Sequence, residues 1–258
     1  MRKRIQEKRP MLTGKNVLIT GSNRGIGKAF VEAFAKQQCN IWACARKHSE
    51  EFETQMAEIA SQNGVWIRPV YFELTDSEEM KAAIKQVLKS GENIDVLINN
   101  AGIAHGGLFS MTRMQTIREV FDINVFAPME LTQLVLRKMM RQKSGSIINM
   151  SSVAALNVRA GNSAYGTSKA AVKAWTAVLG AETAQYGIRV NATAPSLTDT
   201  DMGRTVQENA GENRLLPSAM GRMAKAEEIA NVAVFLASDE ASFVNGETIV
   251  VNGGGDCD

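Results

Sequence analysis

The sequence predicts one doubly wound α/β domain built on a mostly or wholly parallel sheet of seven strands. Three observations carry this. Short apolar runs alternate with helical stretches along all 258 residues. Those runs are continuously apolar rather than alternating, the pattern of strands covered on both faces of a parallel sheet. No linker, low-complexity tract or internal repeat divides the chain. Right-handed crossovers then wind helices onto both faces of the sheet.

The first strand is Val17-Leu18-Ile19, which turns through Gly21, Gly25 and Gly27 into a helix running from Lys28. Further apolar runs lie at 40–45, 65–72, 95–98, 146–150, 189–194 and 248–251. Helical stretches occupy 50–63, 77–90, 112–142, 164–186 and 226–237. Residues 1–12 read as a basic N-terminal tail ahead of a single domain at 13–258; no apolar segment follows the basic residues, so a secretory signal is not expected.

Composition narrows the function. With 29 Lys and Arg against 27 Asp and Glu, no global charge points to nucleic acid or to a membrane surface. No apolar run approaches the ~20 residues of a membrane span. The three cysteines, Cys39, Cys44 and Cys257, lack metal-ligand spacing, which suggests a reducing, cytoplasmic compartment without disulfides or zinc. Cys44 lies in an apolar run and is expected in the core.

In such a sheet ligands bind at the carboxyl ends of the strands. The turn Gly21-Ser22-Asn23-Arg24-Gly25-Ile26-Gly27 places free backbone N–H groups at a helix start, where phosphate binds. Its spacing, G-x-x-x-G-x-G, differs from the common G-x-G-x-x-G dinucleotide fingerprint. After the second strand comes Ala45-Arg46-Lys47-His48. An acid here would hold the ribose 2′-hydroxyl of NAD, whereas an Arg meets the 2′-phosphate of NADP. Arg46 therefore points to NADP(H), with Arg24 as a second cation suited to a phosphate dianion.

The Thr20-Gly21 turn, Asn99-Asn100-Ala101-Gly102, Ser152 and Tyr165-x-x-x-Lys169 occur in the order of the short-chain dehydrogenase/reductase family, which the chain resembles almost to its end. The resemblance implies a Rossmann-type fold and an NADP-dependent oxidoreductase. It carries Asn124, Ser152, Tyr165 and Lys169 over as catalytic residues, with Asn124 holding a water that connects Lys169 to solvent. It adds Glu73 and Leu74 near the adenine, where the family usually has Asp followed by Val or Leu. Asn99, Ala101 and Gly102 would lie beside the cofactor, with Pro195, Leu197 and Thr200 at the nicotinamide; Ser196 stands where the family commonly has Gly. Among the two serines, the interval to Tyr165 favours Ser152, leaving Ser151 to hydrogen-bond the strand end.

The residue types suit ketone reduction. Hydride goes to carbon and a proton to oxygen, so the growing alkoxide needs an acid. A phenol, with an ordinary pKa near ~10, becomes more acidic beside an ammonium. Tyr165 would then be the acid and Lys169 its neighbour, also holding the nicotinamide ribose. Ser152 would steady charge on the substrate oxygen.

Within the family the chain is most similar to 3-oxoacyl-acyl-carrier-protein reductases. Arg137, Lys138, Arg141 and Lys143 form either a docking patch for an acidic carrier protein or an ordinary solvated helix end. Tyr186 stands where many carrier-protein reductases have a basic residue, which leaves open another ketone, a sugar or an alcohol as substrate. A non-catalytic NADP-binding role is the third reading. His105, Leu156, Val158, Met202 and Leu215 are candidate pocket residues. The polar segment 203–223, with Gly203, Gly211, Pro217 and Gly221, reads as a mobile lid. Val125, Met129, Leu134, Trp175 and Leu179 are core residues or, as the family implies, part of a homotetramer interface.

Overall fold

The computed structural model describes residues 10–157, 159–209 and 218–255. Its seven strands are β1 (Asn16–Thr20), β2 (Asn40–Ala45), β3 (Ile67–Tyr71), β4 (Val96–Asn99), β5 (Gly145–Met150), β6 (Ile188–Pro195) and β7 (Thr248–Val251). They form one sheet in the order β3-β2-β1-β4-β5-β6-β7. Every pairing is parallel, from Asn16 beside Asn40 at one side to Pro195 beside Val251 at the other. The strand order reverses between β1 and β4, which opens a crevice at their carboxyl ends.

The helices are α1 (Gly25–Lys36), α2 (Glu50–Asn63), α3 (Ser77–Lys89), α4 (Met114–Phe121), α5 (Ala127–Gln142), α6 (Ser163–Thr183), α7 (Asp201–Asn209) and α8 (Ala226–Ala237). Successive residues of a strand point to opposite faces, and the core divides accordingly. Val17, Ile19, Ile41, Ile98 and Ile148 pack on Phe30 and Phe34 of α1, Met56 of α2 and Ile229 of α8. Leu18, Trp42, Leu97 and Ile147 pack on Ile84 of α3, Leu131 and Val135 of α5 and Leu179 of α6. Phe34 has no exposed surface; truncating such a ring to alanine costs about 3–5 kcal/mol. Caps fix two helix starts: Ser49 accepts from Phe52 N, and Asp76 from the backbone N–H groups of Glu78 and Glu79.

The stretch 112–142 is not one helix. A 3₁₀ turn at Phe109–Met111 leads to α4, then a π-turn over Asp122–Phe126, then α5. Two features of the chain account for the break. Pro128 has no N–H to return to the Asn124 carbonyl four residues back, and the N–H of Ala127 instead reaches the Asp122 oxygen. The Asn124 side chain is also tied outside its own helix, to Ile103. Smaller departures occur at 65–72, where the strand is confined to β3, and at 184–186, where α6 tightens into a 3₁₀ turn before Gly187.

Leu12, within the segment read as a tail, is buried in the core at 2 % exposure. Both Cys39 and Cys44 are buried free thiols, and loss of solvation pushes Cys39 up to about 12 and Cys44 higher still. The segment 203–223, expected as a lid, begins within helix α7. Residues 1–9, Val158, Gly211, Leu215, Pro217 and Cys257 lie outside the described residues. Among the described residues no helix is long and apolar enough to cross a membrane.

Candidate active site

The glycine turn follows β1 directly. Gly21 and Gly25 take φ of +68° and +55°, a backbone region that side chains disfavour. Gly27 is required by contact rather than conformation: a Cβ there would lie 1.8 Å from the Gly21 carbonyl oxygen. Asn100 braces the turn by donating from Nδ2 to the carbonyls of Thr20 (2.9 Å) and Gly21 (3.2 Å). Thr20 Oγ1 in return accepts from the backbone N–H groups of Asn100 and Ala101, each at 3.0 Å. The turn is thereby fixed to the end of β4. Asn23 and Arg24 are exposed, Ile26 is half-buried, and Arg24 begins α1 with no side-chain cap on its N–H groups. This bare, uncapped cradle fits a dinucleotide pyrophosphate. Ser22 differs from its neighbours: its hydroxyl donates to Ile19 O and its N–H to Cys44 O, so its donors are spent inside the protein.

At the ends of β2 and β3, Arg46 Nε lies 3.9 Å from Glu73 Oε2, with the Arg46 side chain 71 % exposed. Leu74 follows, half-buried. Next to this corner, Glu53 accepts from the Tyr71 hydroxyl and faces His48 Nε2 at 3.3 Å.

The signature after β4 divides in two. Asn99 is buried, its Nδ2 donating to Thr132 Oγ1 and Asn149 Oδ1. Its side chain therefore faces the core, away from the cleft. Ala101 and Gly102 are half-buried beside the turn. A Cβ on Gly102 would sit 2.9 Å from Asn124 Oδ1 and 3.4 Å from Lys169 Nζ, so only a bare backbone leaves that space open.

Three elements bring the four candidate catalytic residues together. Ser152 begins a 3₁₀ turn after β5; its Oγ accepts from Ala154 N at 3.2 Å and hydrogen-bonds the Tyr165 side chain. Ser151 Oγ instead donates to the Lys169 backbone carbonyl, 3.0 Å away, joining β5 to α6. Tyr165 and Lys169 share one face of α6, with Lys169 Nζ 5.8 Å from the Tyr165 ring centre. Lys169 is 5 % exposed and donates to the Met150 carbonyl at 2.8 Å. From the π-turn, Asn124 Nδ2 donates to Ile103 O (2.9 Å) and Ser168 Oγ (3.1 Å), while Oδ1 accepts from Ile103 N (2.9 Å). Both amide hydrogens of Asn124 are taken, so the side chain pins the turn and has no donor left for a water.

The electrostatics differ from the expectation of a simple tyrosine–ammonium pair. Burial pushes the Tyr165 phenol above its ordinary value, with the Ser152 hydrogen bond acting against it. Lys169, buried with no carboxylate partner among the described residues, falls to about 8. Desolvation therefore dominates both groups. It keeps Tyr165 protonated, as an acid must be.

Pro195 ends β6, and Ser196 N donates to Val251 O. Leu197 is held through its carbonyl, which accepts from Ala224 N at 3.0 Å. Thr200 approaches the glycine turn, since a Cβ on Gly25 would lie 3.3 Å from its methyl; its hydroxyl accepts from Gly203 N at the start of α7. Of the candidate pocket residues, Met202 is 46 % exposed and His105 Nε2 lies 3.5 Å from Thr112 Oγ1, while Leu156 is half-buried. The sequence motifs include Thr20 and Asn100 without giving either a place in the site, and they do not reach Met150 or Ser168. Ser168 is fully buried and donates to Tyr165 O; Pro128 was the available signal for the turn at Asn124. Among the described residues, no group of three or more His, Cys, Asp or Glu could hold a metal ion.

The likeness to known proteins extends over this whole assembly. Residues 21–255 match a family model described as enoyl-(acyl carrier protein) reductase. The 3-oxoacyl-acyl-carrier-protein reductase FabG of Thermotoga maritima is 36 % identical over 243 residues, covering 94 % of this chain and 98 % of that protein. Its counterpart in Vibrio cholerae is 33 % identical over the same span. A gluconate 5-dehydrogenase from Burkholderia cenocepacia, crystallised with NADP and tartrate, superposes with a TM-score of 0.86 at 30 % identity, covering 95 % of this chain and 96 % of that one.

Proposed function

This chain belongs to the short-chain dehydrogenase/reductase family, and from that premise we propose that it reduces a 3-oxoacyl thioester to the 3-hydroxyacyl thioester with NADPH. It is an oxidoreductase of CH–OH and C=O groups. The observation that carries the reading is the cluster of Ser152, Tyr165 and Lys169 beside the glycine turn, in a chain that matches 3-oxoacyl-acyl-carrier-protein reductases over almost its full length.

NADPH supplies the hydride when bound. The chain does the rest. The cradle of Gly21, Asn23, Gly25 and Gly27 would hold the pyrophosphate, and Arg24 and Arg46 would meet the 2′-phosphate. Ser152 donates a hydrogen bond to the substrate carbonyl oxygen and stabilises its growing charge. Tyr165 gives that oxygen its proton, and Lys169 lies within reach to compensate the phenolate left behind. Asn124 keeps the helix open behind Lys169.

Two further features extend the proposal. Arg137, Arg141 and Lys143 are exposed at the end of α5 and suit an acidic carrier protein. Phe126 and Val178, each 57 % exposed on the α5 and α6 side, suit a homotetramer interface in a cytoplasmic enzyme. A second reading, oxidation or reduction of a sugar acid or another ketone, is favoured by the likeness to the gluconate 5-dehydrogenase. NADPH consumption with acetoacetyl thioesters of carrier protein and of a small thiol, against a panel of keto sugars and simple ketones, separates the two. Turnover of the thioesters well above the keto sugars supports the first; the reverse order replaces it with the second.

A further inference from the structure

We propose that Glu73 is a specificity-determining residue: its carboxylate competes with the 2′-phosphate for Arg46 and so moderates the preference for NADP(H) over NAD(H). The inference rests on Arg46 being the 2′-phosphate ligand and adds a counter-ion to that site.

The placement follows from the sheet. Ala45 pairs with Tyr71, and Phe72 N donates to Ala45 O at 3.2 Å, so the residues just beyond β2 and β3 emerge side by side. Glu73 Oε2 then lies 3.9 Å from Arg46 Nε. Its other oxygen, Oε1, accepts from Thr75 N at 3.5 Å, and the Glu73 N–H donates to Glu79 Oε2 at 3.1 Å. The Thr75 contact directs the carboxylate toward the turn after β3, and the Glu79 contact fixes the backbone that carries it. The loops after β2 and β3 carry the cations Arg46 and Lys47 beside His48, and the acids Glu73 and Glu79, with Glu53 of α2 next to them. Glu53 faces His48 and Tyr71. Glu73 is the acid within ion-pair reach of Arg46 among the described residues. The family usually has the shorter Asp here; the extra methylene of Glu73 carries its carboxylate further from the backbone.

A phosphate monoester near neutral pH carries more than one negative charge. Brought to Arg46, it meets the Glu73 carboxylate on the same guanidinium. That costs affinity for NADP(H) but nothing for NAD(H), which has a hydroxyl there. Arg46 is 71 % and Glu73 37 % exposed at the side chain, so water and salt screen the effect to a modest size.

Fluorescence titration with NADPH and NADH, at low and high salt, tests this on the wild type, Glu73→Gln, Arg46→Ala and the double variant. Glu73→Gln should tighten NADPH by about three- to fivefold at low salt, less at high salt, and shift NADH by less than NADPH. In the Arg46→Ala background the same substitution should change neither cofactor. If Glu73→Gln weakens both cofactors alike, or shifts NADPH no more than NADH, the competition is refuted. If Arg46→Ala weakens NADPH no more than NADH, the assignment of Arg46 itself fails, which is a separate result.

Discussion

Lys169 Nζ lies 2.8 Å from the Met150 carbonyl oxygen, so the last residue of β5 holds the buried lysine by its backbone. A carbonyl accepts a hydrogen bond from an amine in either protonation state, and among the described residues no carboxylate anchors the charge. Burial therefore lowers Lys169 to about 8. In the unfolded chain a lysine titrates near ~10.4. Between those values the unfolded state binds more protons, so this group's contribution to stability grows as pH rises and is lost as pH falls through about 8. Denaturant unfolding of the cofactor-free protein, compared with Lys169→Met from pH 7 to pH 9.5, should show wild type gaining on the variant as pH rises. A difference independent of pH would mean that the lysine is not depressed.

Tyr165 and Ser152 share a hydrogen bond beside the same buried lysine. Tyr165→Phe removes the proton donor and little else, since the ring still fills its place. Turnover should fall by about 10²–10⁴-fold, while NADPH affinity stays within about twofold of wild type. Ser152→Ala should cost about 10²–10³ in kcat. Steady-state kinetics with parallel cofactor titration checks both; a Tyr165→Phe variant that turns over normally would remove this residue as the acid.

The fold was legible because its signals are local and repeated: the apolar runs at 40–45 and 146–150 lie in β2 and β5, and the helical stretches at 50–63 and 77–90 in α2 and α3. The glycine turn was legible for the same reason, since close contact leaves no room for a Cβ at Gly27. Side-chain direction was not. Nothing in Asn99-Asn100 says that the first amide turns into the core toward Thr132 while the second braces the glycine turn. That depends on the pleat at the end of β4 and on hydroxyls far away in sequence. The sign of the Tyr165 shift was illegible too, because spacing reveals a neighbouring charge but not how far both groups are buried. At Asn124 apolar periodicity continued through the break, and the weaker signal was Pro128.

Gly27 permits a backbone-to-backbone test of the cradle. An added methyl would fall 1.8 Å from Gly21 O and 2.7 Å from Asn100 Nδ2. One contact is main chain and the other is already bonded to Thr20 and Gly21, so neither can rotate away. Gly27→Ala should cost about 1–3 kcal/mol in denaturant unfolding and should weaken NADPH and NADH alike, because the turn serves the part common to both. Unchanged affinity for both cofactors would show that the turn does not hold the dinucleotide.

Beneath the site, Asn149 links two helices through the sheet. It is fully buried, accepts from Asn99 Nδ2 at 2.8 Å and donates to Thr176 Oγ1 at 2.9 Å. Asn99 also donates to Thr132 on α5, and Thr176 passes its own hydrogen to Val172 O on α6. A buried donor or acceptor that loses its partner costs about 1–3 kcal/mol. Asn149→Leu strips partners from Asn99 and Thr176 together, so a loss of about 2–5 kcal/mol is expected in denaturant unfolding. Because Met150, the acceptor for Lys169, is the next residue, kcat should fall as well. Asn99→Leu in the same chain removes one of the stranded groups, and the double variant should be less destabilised than the sum of the singles by about 1 kcal/mol or more. Simple additivity in that cycle would mean that the two amides stabilise the sheet independently and that the chain from α5 to α6 is not a single network.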